Sequence, residues 1–343
     1  MENCSNNNRF FNLDLIRAVA ICFVIWVHTF LYNGFYDRSV DNLYMFLSIF
    51  LRQLFFICVP LFVLLTGYLK VNKRVDKSHY SKIWPILISY FIISIITLFF
   101  RYFYLGDDDI VKLIIDIFNF NTIGYAWYVE MYIGLFLLIP FLNILYKGLK
   151  KKEKLILIGS LVFISFLPNT LAMFEFSSYK LDVLPDRMLA LWPICYYYVG
   201  CYIREYGFNI KRWINVLLIF GLILLQSFIL FFYCYGSSFK STITIYYNDL
   251  FTFVISILVF GLLLGCSCKN KVVVGAVKRI SLVSFYMYLF SFIFDSIFYP
   301  LIGIKGWRCF FISSLVIVLS FSCSYVYYLI YSYIKKKKGI KSS

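Results

Sequence analysis

Long apolar runs separated by short charged bursts divide the chain into ten segments, at about 13–33, 43–69, 82–103, 125–146, 154–173, 187–203, 213–233, 250–268, 280–301 and 308–334. Each holds roughly 17 to 27 residues, the length a helix needs to cross about 30 Å of hydrocarbon with variable tilt. Strands of a membrane barrel would be about half as long and would alternate in polarity. The pattern therefore predicts an all-α, polytopic transmembrane bundle of about ten spans. Pro168, Pro185 and Pro193 interrupt the fifth and sixth spans. From Asp109 to Asn119 polar residues recur every three or four positions, as in a helix lying in the membrane interface.

Composition agrees with the pattern. The chain is 62% hydrophobic and 22% aromatic, with a mean hydropathy of +0.81, more apolar surface than a soluble fold of this length can hide. Charge then gives an orientation. Lys and Arg fill alternate connections, at Lys70 to Lys82, Lys147 to Lys154, Arg204 to Arg212 and Lys269 to Arg279, and again in the tail from Lys335 to Lys341. With Arg9 and Arg17 they place 24 of the 33 basic residues on one side, against eight near the other and Arg52 within a span. By the positive-inside rule both termini are expected in the cytoplasm. The acidic stretch Asp107 to Asp109 is expected outside.

Several readings fall away on these grounds. A net charge of +16 suggests nucleic acid, but the basic residues set topology and there is no soluble domain or arginine-aromatic motif to bind RNA. Some of them are placed to meet a polyanionic cytosolic substrate such as a nucleotide-containing thioester. Ten cysteines sit mostly in or beside spans, where Cys packs as a small apolar residue, and no CxxC pair occurs. Neither a metal site nor a disulfide framework is expected. The first span is too long for a signal peptide and lacks a small-residue cleavage site. The longest connection, about Tyr104 to Gly124, is some twenty residues, so function must be built within the bundle.

Arg17 and His28 are the leading chemical candidates. Eleven residues at roughly 100° each return the second side chain to within about 20° of the first, about 16 Å further along the axis. One helix face thus carries a cation near one membrane surface and an imidazole in the opposite half. The only other histidine is His79, in a polar connection. Ionisable groups inside a membrane are costly and tend to mark function. Plainer roles stay open, since a membrane His can bond a neighbouring carbonyl and Arg17 can snorkel to lipid phosphate. Asp14 stands three residues before Arg17, a local pair worth a few tenths of a kcal/mol.

Three more intramembrane charges are Arg52, Glu130 and Asp295. His28 and Glu130 each lie about five residues from the outer boundary, roughly 7 Å by helical rise, and Asp295 lies at a similar level. Either carboxylate is placed to support the imidazole, the usual role of an acid beside a base. Glu130 is preferred because it adjoins Trp127 and Tyr128, whose faces suit a sugar ring as well as an interfacial belt. Arg52 is open to neutralising one of the acids.

The stretch from Asn12 to His28, with its Arg-x10-His spacing, resembles the first helix of the acyltransferase-3 family of bacterial integral-membrane acyltransferases. Val59-Pro-Leu-Phe through Thr66-Gly-Tyr-Leu69 is similar to that family's second-helix motif, with Thr66 where Ser is usual. Lys82-Ile-Trp-Pro85 is similar to the entry of its third helix, and Ala126-Trp-Tyr through Pro140 to a later one. Leu282-Val-Ser-Phe-Tyr-Met-Tyr-Leu289 resembles a motif that usually continues into a His, where this chain has Phe290-Ser291.

The resemblance implies one acyltransferase domain over residues 1–343, in the bacterial cytoplasmic membrane. It would move an acyl group, usually acetyl from cytosolic acetyl-CoA, to a hydroxyl of an envelope glycan or its lipid-linked precursor. No permanently bound cofactor is expected, acetyl-CoA being a co-substrate. His28 is expected as the base, since a neutral imidazole with an ordinary pKa of about 6.5 suits the task at neutral pH. Glu130 or Asp295 would support it, Arg17 and Lys82 would meet the donor, and Trp127 and Tyr128 the acceptor. The rival classes are a lipid-linked oligosaccharide flippase or transporter, which more often shows repeated halves, and a polysaccharide polymerase, from which a large external loop is expected.

Overall fold

The computed structural model describes residues 10–172, 186–239, 247–302 and 309–337. It is 82% helix, and among the described residues there are no strands, only two isolated bridges that tie Ser39 and Val40 to Ser238 and Tyr235. Among the described residues fourteen α-helices follow one another. They are α1 Phe11–Tyr32, α2 Leu43–Phe56, α3 Cys58–Lys70, α4 Lys77–Tyr80, α5 Trp84–Phe100, α6 Ile110–Phe118 and α7 Trp127–Gly148. Then come α8 Lys151–Ser165, α9 Leu167–Ala172, α10 Trp192–Tyr206, α11 Arg212–Tyr233, α12 Leu250–Leu264, α13 Lys271–Ile302 and α14 Cys309–Lys337.

Among the described residues, seven helical runs are long and apolar enough to cross a membrane: α1, α2 with α3, Lys77–Leu105, α7, α11, α13 to Leu301, and α14. The other three expected spans form helices of 15 residues, α8, α10 and α12. Such a helix rises about 22 Å, less than the hydrocarbon thickness. Proline explains two of the three. Pro168 stops α8 from continuing into α9, because its ring clashes with the carbonyl four residues back. Pro193 sits in the first turn of α10, where a missing N–H costs nothing. Pro185 and the end of the fifth predicted span lie outside the described residues.

The second span is broken at Ile57, between α2 and α3. Pro60 accounts for it, since the carbonyl its ring excludes is that of Phe56, the last residue of α2. Side-chain caps start several helices: Asn42, Asp109 and Asp249, for example, accept from the N–H of Met45, Lys112 and Thr252. The stretch expected to lie in the interface forms the helix α6. Leu113 and Ile117 are buried while Ile110, Val111, Ile114, Ile115 and Phe118 are exposed. Arg101 ties it to the preceding turn, binding Asp116 on the helix at 3.1 Å and Asp107 before it at 2.7 Å.

Helix α1 is the hub, packing against α2, α3, α12, α13 and α14. Helices α3 and α10 cross with their backbones in contact. A Cβ on Gly67 would collide with the Tyr197 carbonyl, and one on Gly200 with the Leu64 carbonyl. Small residues that let backbones touch are how membrane helices gain packing without a hydrophobic drive. His79 is not in an open polar connection. It is buried on α4, stacked on Phe136 with ring centroids 4.2 Å apart and with Nε2 3.0 Å from the Phe136 carbonyl oxygen.

Candidate functional site

A cavity of about 360 Å³ runs beside α1. Arg17 and Lys70 line one end of its wall, and Tyr125, Trp127 and Tyr247 line it around His28. Between them Val24, Val59, Phe62, Leu65, Val129 and Phe285 make an apolar throat relieved by Thr66 and Ser284. The shared face of Arg17 and His28 is therefore the face that looks into the cavity. This is what helical periodicity places there and what packing of α3, the start of α7 and α13 around α1 encloses.

At the far end His28 keeps 14% of its side-chain surface exposed while Asp295 has none. The imidazole Nδ1 stands 4.0 Å from Asp295 Oδ2. Tyr125 lies flat on the imidazole, ring centroids 3.5 Å apart at 23°, and its hydroxyl donates to the same Oδ2 at 3.2 Å. The Tyr32 hydroxyl is 2.6 Å from that of Tyr125. Tyr288 donates to the Tyr125 carbonyl and fixes the segment before α7. His28 Nδ1 and Asp295 Oδ1 are buried without a hydrogen-bond partner. An imidazole with Nδ1 turned toward a carboxylate leaves Nε2 for whatever enters the cavity.

At the near end Arg17 is 29% exposed and reaches Asp14 at 3.4 Å. Asp14 also accepts from Ser281 at 2.7 Å, tying α1 to α13. The Lys70 ammonium lies over Phe136, 4.2 Å from the ring centroid. Two cations at the mouth of an apolar throat are suited to phosphate groups carried on a long uncharged arm.

The sequence profile of the acyltransferase-3 family, described as an acyltransferase domain, matches residues 10–329. The chain belongs to this family. It is a multi-pass membrane protein and an acyltransferase by that membership and by its apolar helices. No curated protein and no solved structure matches the chain.

Against the acyltransferase motifs, the structure brings most of the expected residues to one cavity. Arg17, His28, Trp127 and Tyr128 all line it, and Asp295 stands directly behind His28. Glu130, the preferred carboxylate, does not join them. It is exposed on α7, because the cavity-lining positions Tyr128 and Tyr132 lie two residues to either side and so face the other way, by about 200° of helix. Lys82 is half-buried and outside the lining, although near enough to repel the Lys70 charge. Arg52 is buried and donates to Tyr36 and Gln53, with the Phe56 and Phe239 rings around it.

Four lining or supporting residues escape the sequence reading: Lys70, Tyr125, Tyr32 and Tyr247. Lys70 follows the Thr66-Gly-Tyr-Leu69 motif directly, and Tyr125 precedes Ala126-Trp127, so both carried a signal of adjacency. Tyr247 carried none. It is sandwiched by Phe56, with centroids 4.4 Å apart at 5°, and by Trp127 at 5.4 Å. Of Phe290-Ser291, which stand where the resembled motif usually continues into a His, Ser291 is buried and donates to the Tyr288 carbonyl. Asp295 lies one helical turn further along the same face of α13. The described residues contain no cluster of groups that would hold a metal ion.

Proposed function

We propose that this acyltransferase moves acetyl from cytosolic acetyl-CoA to a hydroxyl of an envelope glycan or its lipid-linked precursor, O-acetylating a capsular, exo- or other surface polysaccharide. The observation that carries this reading is the cavity joining Arg17 and Lys70 to His28. With both termini in the cytoplasm and about ten crossings of the bacterial plasma membrane, the Arg17 end faces the donor pool and the His28 end faces the outer half of the bilayer. Arg17 and Lys70 meet the donor's phosphates, and the apolar throat takes its uncharged arm.

The chemistry balances without a cofactor. His28 Nε2 accepts the proton of the acceptor hydroxyl as that oxygen attacks the thioester carbonyl. A C–O bond forms, the C–S bond breaks, and the imidazolium returns the proton to the departing sulfur, giving ester and free thiol. Asp295 stabilises the imidazolium across 4.0 Å, a separation that substrate binding is free to shorten. Trp127 and Tyr128 stand at the acceptor end, where an aromatic face suits a sugar ring.

Radiolabelled acetyl-CoA supplied to inverted vesicles tests the reading. Label in glycan, accompanied by the mass of one acetyl group per modified unit, is the expected result. Movement of glycan without label would favour a transporter and overturn it. The same experiment with His28→Ala should leave the protein inserted and the glycan unlabelled.

A further inference from the structure

The hydroxyl string behind His28 has a direction. A phenol has one proton to donate, and Tyr125 gives its proton to Asp295 Oδ2. The 2.6 Å contact between the Tyr32 and Tyr125 hydroxyls must then be a bond donated by Tyr32. The string runs Tyr32 to Tyr125 to Asp295, and it ends on the carboxylate oxygen that faces His28 Nδ1. Tyr125 meets both members of the pair, lying flat on the imidazole and bonding the carboxylate. Tyr32 is itself immobilised, its ring stacked on Tyr299 at 4.6 Å and 3°. The Tyr299 hydroxyl is held at 2.9 Å by both Thr29 and Ser313.

Packing alone does not need these hydroxyls. A phenylalanine would fill the same space, and a buried hydroxyl is costly unless it is used. Asp295 is fully buried with Oδ1 unpaired, so the Tyr125 bond is the contact that keeps Oδ2 turned to His28.

We propose that Tyr125 is the positioning residue of the His28–Asp295 pair and that Tyr32 orients Tyr125 for the task. The inference rests on the reading of His28 as the base. When His28 takes the acceptor's proton, the imidazolium forms between the Oδ2 edge and the π-face of Tyr125. Both favour a cation, and the cation exists only once transfer is under way. Support realised at that stage raises turnover without tightening the donor's binding.

The test uses the full chain in proteoliposomes, with radiolabelled acetyl-CoA and envelope polysaccharide from cells lacking the gene as acceptor. Tyr125→Phe keeps the stack and removes the bond, so kcat should fall about tenfold while the KM for acetyl-CoA stays within about twofold. Tyr32→Phe should lower kcat about threefold in the same manner. In an Asp295→Asn background neither change should lower kcat further, because the string then ends on no charge. A merely structural role would instead give independent, multiplying losses.

Wild-type kcat in Tyr125→Phe, a KM rise equal to the kcat loss, or undiminished losses in the Asp295→Asn background would overturn the proposal. If Tyr125→Phe does not yield folded protein, Tyr32→Phe decides by the same criteria. Transfer by His28→Ala would instead overturn the reading of the base itself, whatever the tyrosines do.

Discussion

His28 and Asp295 face each other from α1 and α13 across 4.0 Å, longer than a hydrogen bond. The pair is packed against Tyr125, so a small inward shift of either helix is enough to close it. Asp295→Asn keeps shape and removes charge, and turnover should fall about ten- to a hundredfold, as for other supports of a general base. Glu130→Gln, on the exposed side of α7, should stay within about twofold. Kinetics of acetyl transfer on the two variants check this directly, and the reverse ranking would return the role to Glu130.

The two cations at the near end make a separate prediction. Arg17→Gln and Lys70→Gln should each raise the KM for acetyl-CoA about tenfold, the usual scale for a charge-assisted hydrogen bond to phosphate. The acceptor's KM should hold. Lys82→Gln should do less, since Lys82 does not line the cavity. Shortened donors test the assignment further: if the cations hold phosphates, acetyl-pantetheine should show no sensitivity to either substitution.

How much of this was legible in the sequence follows from what periodicity can encode. The common face of Arg17 and His28 needs only the pitch of one helix, and the cavity lies on that face. The shared level of His28 and Asp295 was also legible, since counting residues from the span boundaries set them side by side. Azimuth between helices was not, because it depends on how α7 and α13 are rotated about α1, and that rotation set Glu130 outward and Asp295 inward. Lys70 was legible only as one more basic residue holding a connection inside. Its place in the cavity wall rests on how α3 packs, with its backbone against α10 at Gly67 and Gly200, and such packing is not written in a single helix's periodicity. The lengths of two of the three 15-residue helices were not legible in hydropathy, which does not sense the prolines that shorten α8 and start α10.

That backbone contact is itself testable. Gly200→Ala must push its Cβ against the Leu64 carbonyl, and Gly67→Ala against that of Tyr197. Neither carbonyl belongs to a flexible side chain, so the helices must separate. Overpacking of this kind costs about 1–3 kcal/mol, and both variants should unfold at lower temperature in detergent. Gly134→Ala, where nothing lies within 4 Å of the added carbon, is the control and should match or exceed the parent, Ala being the better helix former by about 1 kcal/mol.

Closing the throat should separate donor arrival from chemistry. Thr66 lines the cavity from α3, its hydroxyl turned back to the Phe62 carbonyl at 2.8 Å, so a bulkier side chain there projects into space rather than into packing. Thr66→Phe adds roughly the volume of a phenyl ring to a throat that must pass a narrow arm, and it leaves His28, Asp295 and Tyr125 untouched. Transfer from acetyl-CoA should fall at least tenfold, beyond what the lost hydroxyl can explain at about 1 kcal/mol. Thr66→Val, which removes the hydroxyl without adding length, should retain most of the activity. Measured with thermal unfolding alongside, a stable but inactive Thr66→Phe beside an active Thr66→Val places the donor's path through the cavity. Full activity in Thr66→Phe would mean that the acyl group reaches His28 by another route.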